Sequence, residues 1–178
     1  MHRPGGRDFG GAVFVDRDGV VNVRRADHVR SWADFEFLPG SLEAMRRLRS
    51  AGERVLVLTN QAVVGRGQMS PGELDEIHDR MRAEVEAAGG LIDGVLACVH
   101  RPDDGCRCRK PAPGLFHRAA GEMRVDLSRS VMIGDAWTDV QAAHAAGCRA
   151  VWVGPDAEAG SVPVARDLLE AVTLLREC

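Results

Sequence analysis

Ala12-Val13-Phe14-Val15-Asp16-Arg17-Asp18-Gly19 is an apolar run that ends abruptly in two carboxylates with one residue between them. Four consecutive apolar residues suit a strand buried on both faces, as in a parallel sheet. Gly19 then permits a sharp turn. In open α/β sheets the ligand lies just past the carboxyl ends of the strands. That rule puts Asp16 at the edge of such a site and Asp18 over the same pocket. One carboxylate of the pair can attack while the other moves a proton, provided that a cation screens them. Taken alone, the stretch fits equally well a strand running into a polar turn with two solvated aspartates.

Outward from this stretch the pattern repeats. Buried strands are predicted at Arg54–Leu58, Ile92–Val99, Val131–Ile133 and Ala150–Val153. Between them lie helical periodicities. Leu42, Met45 and Leu48 share one face of a helix that Gly52 ends. Ser70-Pro71-Gly72-Glu73 is a capping box with proline at the first helical position, opening a helix with Leu74, Ile77, Met81 and Val85 inward. Further helices are predicted at Pro113–Met123, Trp137–Ala146 and Val164–Leu175. Strands alternating with helices imply right-handed crossovers, and hence a doubly wound α/β fold with a parallel sheet of about five strands. The stretch from Val20 to Leu38 has no clean period and reads as a long loop pinned by Trp32, Phe35 and Phe37.

The chain has 178 residues, 45% of them hydrophobic and 28% charged, with a formal charge of −3. That size suits one domain, here 12–178, behind a loose Gly-rich tail, 1–11, which lacks the apolar core of a signal peptide. Neither the charge nor any apolar run points to a nucleic acid or a membrane, so a cytoplasmic protein is expected. Lys110 is the only lysine against 22 arginines. Of five cysteines, Cys98, Cys106 and Cys108 fall within eleven residues, which in a reducing compartment reads as metal binding. Cys148 and Cys178 read as one core and one terminal residue. Of the histidines, His28 is the one beside the expected site.

A parallel sheet gathers all strand C-termini at one edge. Asp16, Thr59, the cysteine loop and Asp135 would therefore meet although far apart in sequence. Three carboxylates there require a hard cation, and Mg²⁺ suits a few carboxylate or carbonyl oxygens with phosphate and water completing its shell. Thr59 adds a hydroxyl, and Lys110 a compact charge of the kind that neutralises a phosphoryl group in flight.

Asp16-Arg17-Asp18-Gly19, Thr59, Lys110 and Gly134-Asp135 with Asp139 resemble, in order, the four motifs of the haloacid-dehalogenase-like (HAD) phosphatases. Cys98-Val99-His100 and Cys106-Arg107-Cys108-Arg109-Lys110-Pro111 are similar to the zinc-containing branch that holds heptose-bisphosphate and histidinol-phosphate phosphatases. The resemblance spans about residues 12–153. It implies a nucleophilic Asp16, an acid/base Asp18, and phosphoryl stabilisation by Thr59 and Lys110. It further implies Mg²⁺ on Asp16, the Asp18 carbonyl and Asp135, with Asp139 supporting Lys110 or the metal waters. Structural Zn²⁺ would sit on Cys98, His100, Cys106 and Cys108 within the loop 98–110, three thiolates and an imidazole leaving no open position.

No segment is long enough for an inserted cap domain, so the pocket is expected to be open. Asn22, Arg24, Asn60, Gln61 and Arg109 are its candidate substrate contacts. Asp18-Gly19-Val20-Val21-Asn22 is similar to the heptose branch, and Arg109 could pair with a second, anomeric phosphate. The implied reaction is removal of the 7-phosphate from D-glycero-D-manno-heptose 1,7-bisphosphate by a monomer. Histidinol phosphate or another sugar phosphate is the alternative substrate. Ala136 stands where the better-known heptose enzymes carry lysine, and Arg24 and Arg25 are candidates to replace that charge. A phospho-receiver domain has the same kit of an acidic pocket, Mg²⁺, Thr and Lys. It would, however, end its third strand in aspartate, where this chain has Cys98-Val99-His100.

Overall fold

The computed structural model describes residues 10–155 and 162–176. The expected tail falls almost wholly outside the described residues, as does Cys178. Six strands form one parallel sheet: β1 (Val13–Val15), β2 (Val55–Asn60), β3 (Gly94–Cys98), β4 (Val131–Gly134), β5 (Arg149–Val153) and β6 (Val164–Ala165). Their order is β3-β2-β1-β4-β5-β6. Among the described residues six α-helices accompany them: α1 (Ser41–Ser50), α2 (Ala62–Gly65), α3 (Pro71–Ala87), α4 (Gly114–Met123), α5 (Trp137–Ala145) and α6 (Leu168–Leu175).

β1 is central. Val13 is in register with Val55 on one side and Val131 on the other. Alternation along β1 serves both faces. Val13 and Val15 join α1, α3 and α6 in one core, whereas Phe14 joins α4 and α5 in the other. Phe14 meets Phe116 of α4 edge-on, with ring centroids 5.0 Å apart. Cutting Phe14 back to alanine would cost about 3–5 kcal/mol, from lost transfer energy and the void left behind.

The sheet has one strand more than the sequence reading allowed. The predicted helix Val164–Leu175 begins only at Leu168, because Asp167 caps it by accepting the Glu170 N–H at 2.8 Å. Val164 and Ala165 instead pair with Trp152 and Val153 of β5. The sequence reading also missed the single turn of α2. The capping box of α3 forms as expected: Ser70 Oγ accepts from the Glu73 N–H at 3.2 Å, and Glu73 Oε2 from the Ser70 N–H at 2.7 Å.

The long loop between β1 and α1 is held by its aromatics. Trp32 stacks on Phe35 at 4.9 Å, and Phe35 meets Phe37 edge-on at 5.0 Å. An Asn22–Phe37 bridge and a Val23 N–H to Glu36 C=O bond fasten its two arms together. Among the described residues no helix is long and apolar enough to cross a membrane.

Candidate active site

The strand order reverses between β1 and β4. Such a reversal leaves a crevice at the carboxyl edge, where neighbouring connections leave toward opposite faces. Asp16 follows β1 and Asp135 follows β4, so both stand at this point. A cavity of ≈ 280 Å³ opens there, with Asp16, Asp18, Thr59 and Lys110 among its lining residues together with Arg24, Arg25, Arg66 and Arg109.

Lys110 is 3% exposed. Its ammonium donates to the Leu58 carbonyl at 2.7 Å and pairs with Asp16 Oδ1 at 3.0 Å and Asp139 Oδ1 at 2.6 Å. Burial alone would lower its pKa, but the two carboxylates raise it above the usual lysine range. Asp16 is pushed up to about 6, by burial first; Lys110 opposes the rise and Asp139 adds to it. Burial makes the Asp16 charge costly, and the Lys110 ammonium 3.0 Å away offsets part of that cost. Asp139 reaches back from the first turn of α5, where its Oδ2 also accepts the Ala136 N–H at 3.2 Å. Asp139 is thereby placed directly against the lysine ammonium.

Asp18 is held in one orientation. Arg17 Nη2 donates to both of its oxygens at 3.0 Å, Asn22 Nδ2 to Oδ1 at 2.9 Å, and Gln61 Nε2 to Oδ2 at 2.8 Å. Burial works to raise its pKa, but these donors together hold the carboxyl below its usual range. Arg17 is itself fully buried, with Nη1 3.2 Å from His78 Nε2. Burial, reinforced by Arg17, pushes His78 down to about 3, so it is a neutral ring that accepts from the guanidinium. Gln61 Nε2 also donates to Thr59 Oγ1 at 2.8 Å, fixing the hydroxyl over the crevice.

On the β4 side, Arg24 Nη2 lies 2.7 and 2.9 Å from the two Asp135 oxygens and 3.1 Å from the Asp18 carbonyl. One cationic atom thus already sits among the oxygens expected to bind Mg²⁺. Carboxylate oxygens of Asp16, Asp135 and Asp139 fall within 4.8 Å of one another. Gly19 makes the approach possible: it has φ +89°, and a Cβ there would overlap the Asp135 carboxylate. A donor set made wholly of carboxylate and carbonyl oxygens fits Mg²⁺.

Cys98, His100, Cys106 and Cys108 form a second cluster. Cys108 Sγ lies 3.2 Å from Cys98 Sγ, 3.6 Å from Cys106 Sγ and 3.2 Å from His100 Nδ1; Cys98 Sγ lies 3.7 Å from Cys106 Sγ and 3.6 Å from His100 Nδ1. A tetrahedron with Zn–S bonds of about 2.3 Å has S···S edges of about 3.8 Å. These separations are consistent with zinc, and none is a disulfide. The cluster ties the end of β3 to the segment that presents Lys110. Asn60 completes the tie, accepting the Lys110 N–H and donating to its C=O, both at 3.1 Å.

Three of the expected substrate contacts make hydrogen bonds within the protein, and two of them, Asn60 and Gln61, also line the cavity. Asn22 is fully buried against Asp18. Asn60 clamps the Lys110 backbone. Gln61 bridges Asp18 and Thr59. Arg24 lies on Asp135, while Arg109 lines the cavity with its Nη1 buried and unpartnered. The sequence reading passed over Arg17, His78 and Arg66. Only Arg17 carried a signal, a charge lodged at the end of an apolar strand.

The HAD-hydrolase-like family matches residues 107–168 of this chain. The chain is 43% identical over 141 residues to the D-glycero-beta-D-manno-heptose-1,7-bisphosphate 7-phosphatase of Bordetella bronchiseptica, covering 79% of this chain and 78% of that one. It is 36% identical over 164 residues to the D-glycero-alpha-D-manno-heptose-1,7-bisphosphate 7-phosphatase of Mycobacterium tuberculosis, covering 88% and 86%. The crystal structure of the B. bronchiseptica D,D-heptose 1,7-bisphosphate phosphatase with magnesium and phosphate superposes with a TM-score of 0.87 and 36% identity, over 94% of this chain and 99% of that one.

Proposed function

This chain belongs to the HAD-like phosphatases, and on that premise we propose that it removes the 7-phosphate of D-glycero-D-manno-heptose 1,7-bisphosphate through an aspartyl-phosphate intermediate. The observation that carries the reading is Asp16 paired with Lys110 at 3.0 Å in a crevice that Arg24, Arg25, Arg66 and Arg109 also line. The Asp16–Lys110 pair suits the phosphate that reacts, and the arginines suit a second anion on the same small molecule. Histidinol phosphate carries an ammonium group in place of a second anion, which the arginines of the crevice disfavour, Arg109 most directly because its Nη1 is buried without a partner. The names of the relatives support the same substrate.

Asp16 attacks phosphorus, and the bond from phosphorus to the sugar oxygen breaks. Asp18 gives that oxygen a proton. Asp18 then takes a proton from water as the water attacks the aspartyl phosphate, releasing phosphate and regenerating Asp16. The donors around Asp18 favour its carboxylate form before substrate arrives, and a phosphate dianion alongside raises its proton affinity for the first step. Lys110 and Thr59 stabilise the transferring group from fixed positions. Mg²⁺ held by Asp16, the Asp18 carbonyl and Asp135 would supply the charge that lets these carboxylates share a space with phosphate. Zn²⁺ on the Cys/His cluster would hold the Lys110 loop in place.

The test is phosphate release with Mg²⁺ from both anomers of heptose 1,7-bisphosphate, histidinol phosphate and common sugar phosphates. The expected result is a kcat/KM for one heptose anomer well above every other compound. A higher value for histidinol phosphate would overturn the substrate assignment and leave the roles of Asp16 and Asp18 standing.

A further inference from the structure

We propose that Arg24 and Mg²⁺ are alternative occupants of one position, and that metal binding turns Arg24 out into the crevice to grip the substrate's distal anionic group. The inference rests on the bisphosphate reading for its second half only. Arg24 Nη2 touches the Asp18 carbonyl and both Asp135 oxygens at 2.7–3.1 Å. A guanidinium and a divalent ion cannot share those oxygens: both need the same lone pairs, and like charges at such range repel strongly. The Arg24 side chain is 56% exposed against 17% for Asp135, so it can leave without unpacking the core.

Where it goes follows from what surrounds it. Arg24 belongs to the loop that also brings Arg25 and His28 to the cavity. Arg25 already has a carboxylate partner, donating from Nε and Nη2 to Asp27 at 3.0 Å each. Once a metal takes Asp135, Arg24 loses its own partner while its backbone stays beside the crevice. A bidentate guanidinium without a carboxylate suits a phosphate oxyanion. The exchange orders the cycle: metal enters first, and the second anion then finds a charge that was previously engaged.

The first measurement is calorimetric titration of the protein with Mg²⁺ alone, in the wild type and in Arg24→Gln. The wild type must break an exposed ion pair before binding, so the variant is expected to bind Mg²⁺ about fivefold more tightly. Equal or weaker binding overturns the proposal, whatever the substrate proves to be. A crystal structure of the Mg²⁺-loaded wild type should find Arg24 off Asp135; Arg24 still on Asp135 beside bound metal overturns it equally. The third measurement compares KM for heptose 1,7-bisphosphate and heptose 7-phosphate at saturating Mg²⁺. Arg24→Gln should raise the first at least about fivefold more than the second. An equal rise in both overturns the gripping role. Failure of the wild type to turn over the bisphosphate would count against the substrate assignment and leave the metal titration to decide the exchange.

Discussion

Lys110 Nζ and Asp16 Oδ1 lie 3.0 Å apart with the lysine almost wholly buried, so the proposed nucleophile and the cation that would neutralise its product are preassembled. Two further acceptors, the Leu58 carbonyl and Asp139, account for the remaining hydrogens of the ammonium. A site fixed before substrate arrives needs little reorganisation during reaction.

This geometry makes the lysine irreplaceable by arginine. A guanidinium is larger and planar, and cannot meet three acceptors arranged around one buried nitrogen. Lys110→Arg is expected to lower kcat by about 100-fold or more, the scale of losing a preorganised charge in acyl or phosphoryl transfer. Steady-state phosphate release measures it; a kcat near that of the wild type would remove Lys110 from the proposed chemistry.

Gly19 sets a second expectation. Alanine there must hold φ +89° and put a methyl group into the Asp135 carboxylate. Gly19→Ala should therefore weaken Mg²⁺ binding by about tenfold, while the backbone strain alone costs stability of only about 1 kcal/mol. Calorimetric titration with Mg²⁺ and a thermal melt separate the two effects. Unchanged metal affinity would mean that Asp135 does not bind the ion from where it stands.

The Cys/His cluster predicts a coupled loss. Cys98 closes β3, and Cys106 and Cys108 lie just before Lys110, so stripping the metal should loosen the loop that carries the proposed phosphoryl-stabilising cation. Cys108→Ser, or prolonged chelation, is expected to lower Tm by more than about 5 °C and to reduce kcat. Metal analysis of the purified protein should find about one zinc per chain. A protein without zinc, yet with full activity and an unchanged melting point, would leave the cluster without a structural role.

The fold was legible in the sequence wherever a signal is local. The apolar run into Asp16 set the parallel sheet, Ser70 to Glu73 started α3, and the spacing of Cys98, His100, Cys106 and Cys108 brought four donors together. The internal hydrogen bonds of Asn22, Asn60 and Gln61 were not legible, because a polar residue in a loop shows its chemistry but not its direction. All three are drawn to obligations inside the protein, to the Asp18 carboxylate or to backbone groups that would otherwise lack partners. β6 escaped notice because a two-residue strand exists only through its pairing with β5. Arg24 was visible as a charge, but its docking on Asp135 depends on a contact 111 positions away.

His78 yields a prediction about pH and stability. In the folded protein its pKa is pushed down to about 3, whereas an unfolded histidine titrates near 6.5. Below that ordinary value the unfolded chain binds a proton that the folded chain refuses. The contribution is therefore fully present above pH ~6.5 and is lost as pH falls toward 3, with a slope of up to ~1.4 kcal/mol per pH unit. His78→Gln removes the titration and retains an acceptor for Arg17. The variant should lose stability less steeply than the wild type between pH 6.5 and 4, where shared changes in the carboxylates cancel in the comparison. Urea midpoints across that range provide the measurement. Parallel curves would show that His78 is protonated in the folded state at ordinary acid pH, and that Arg17 holds Asp18 without its help.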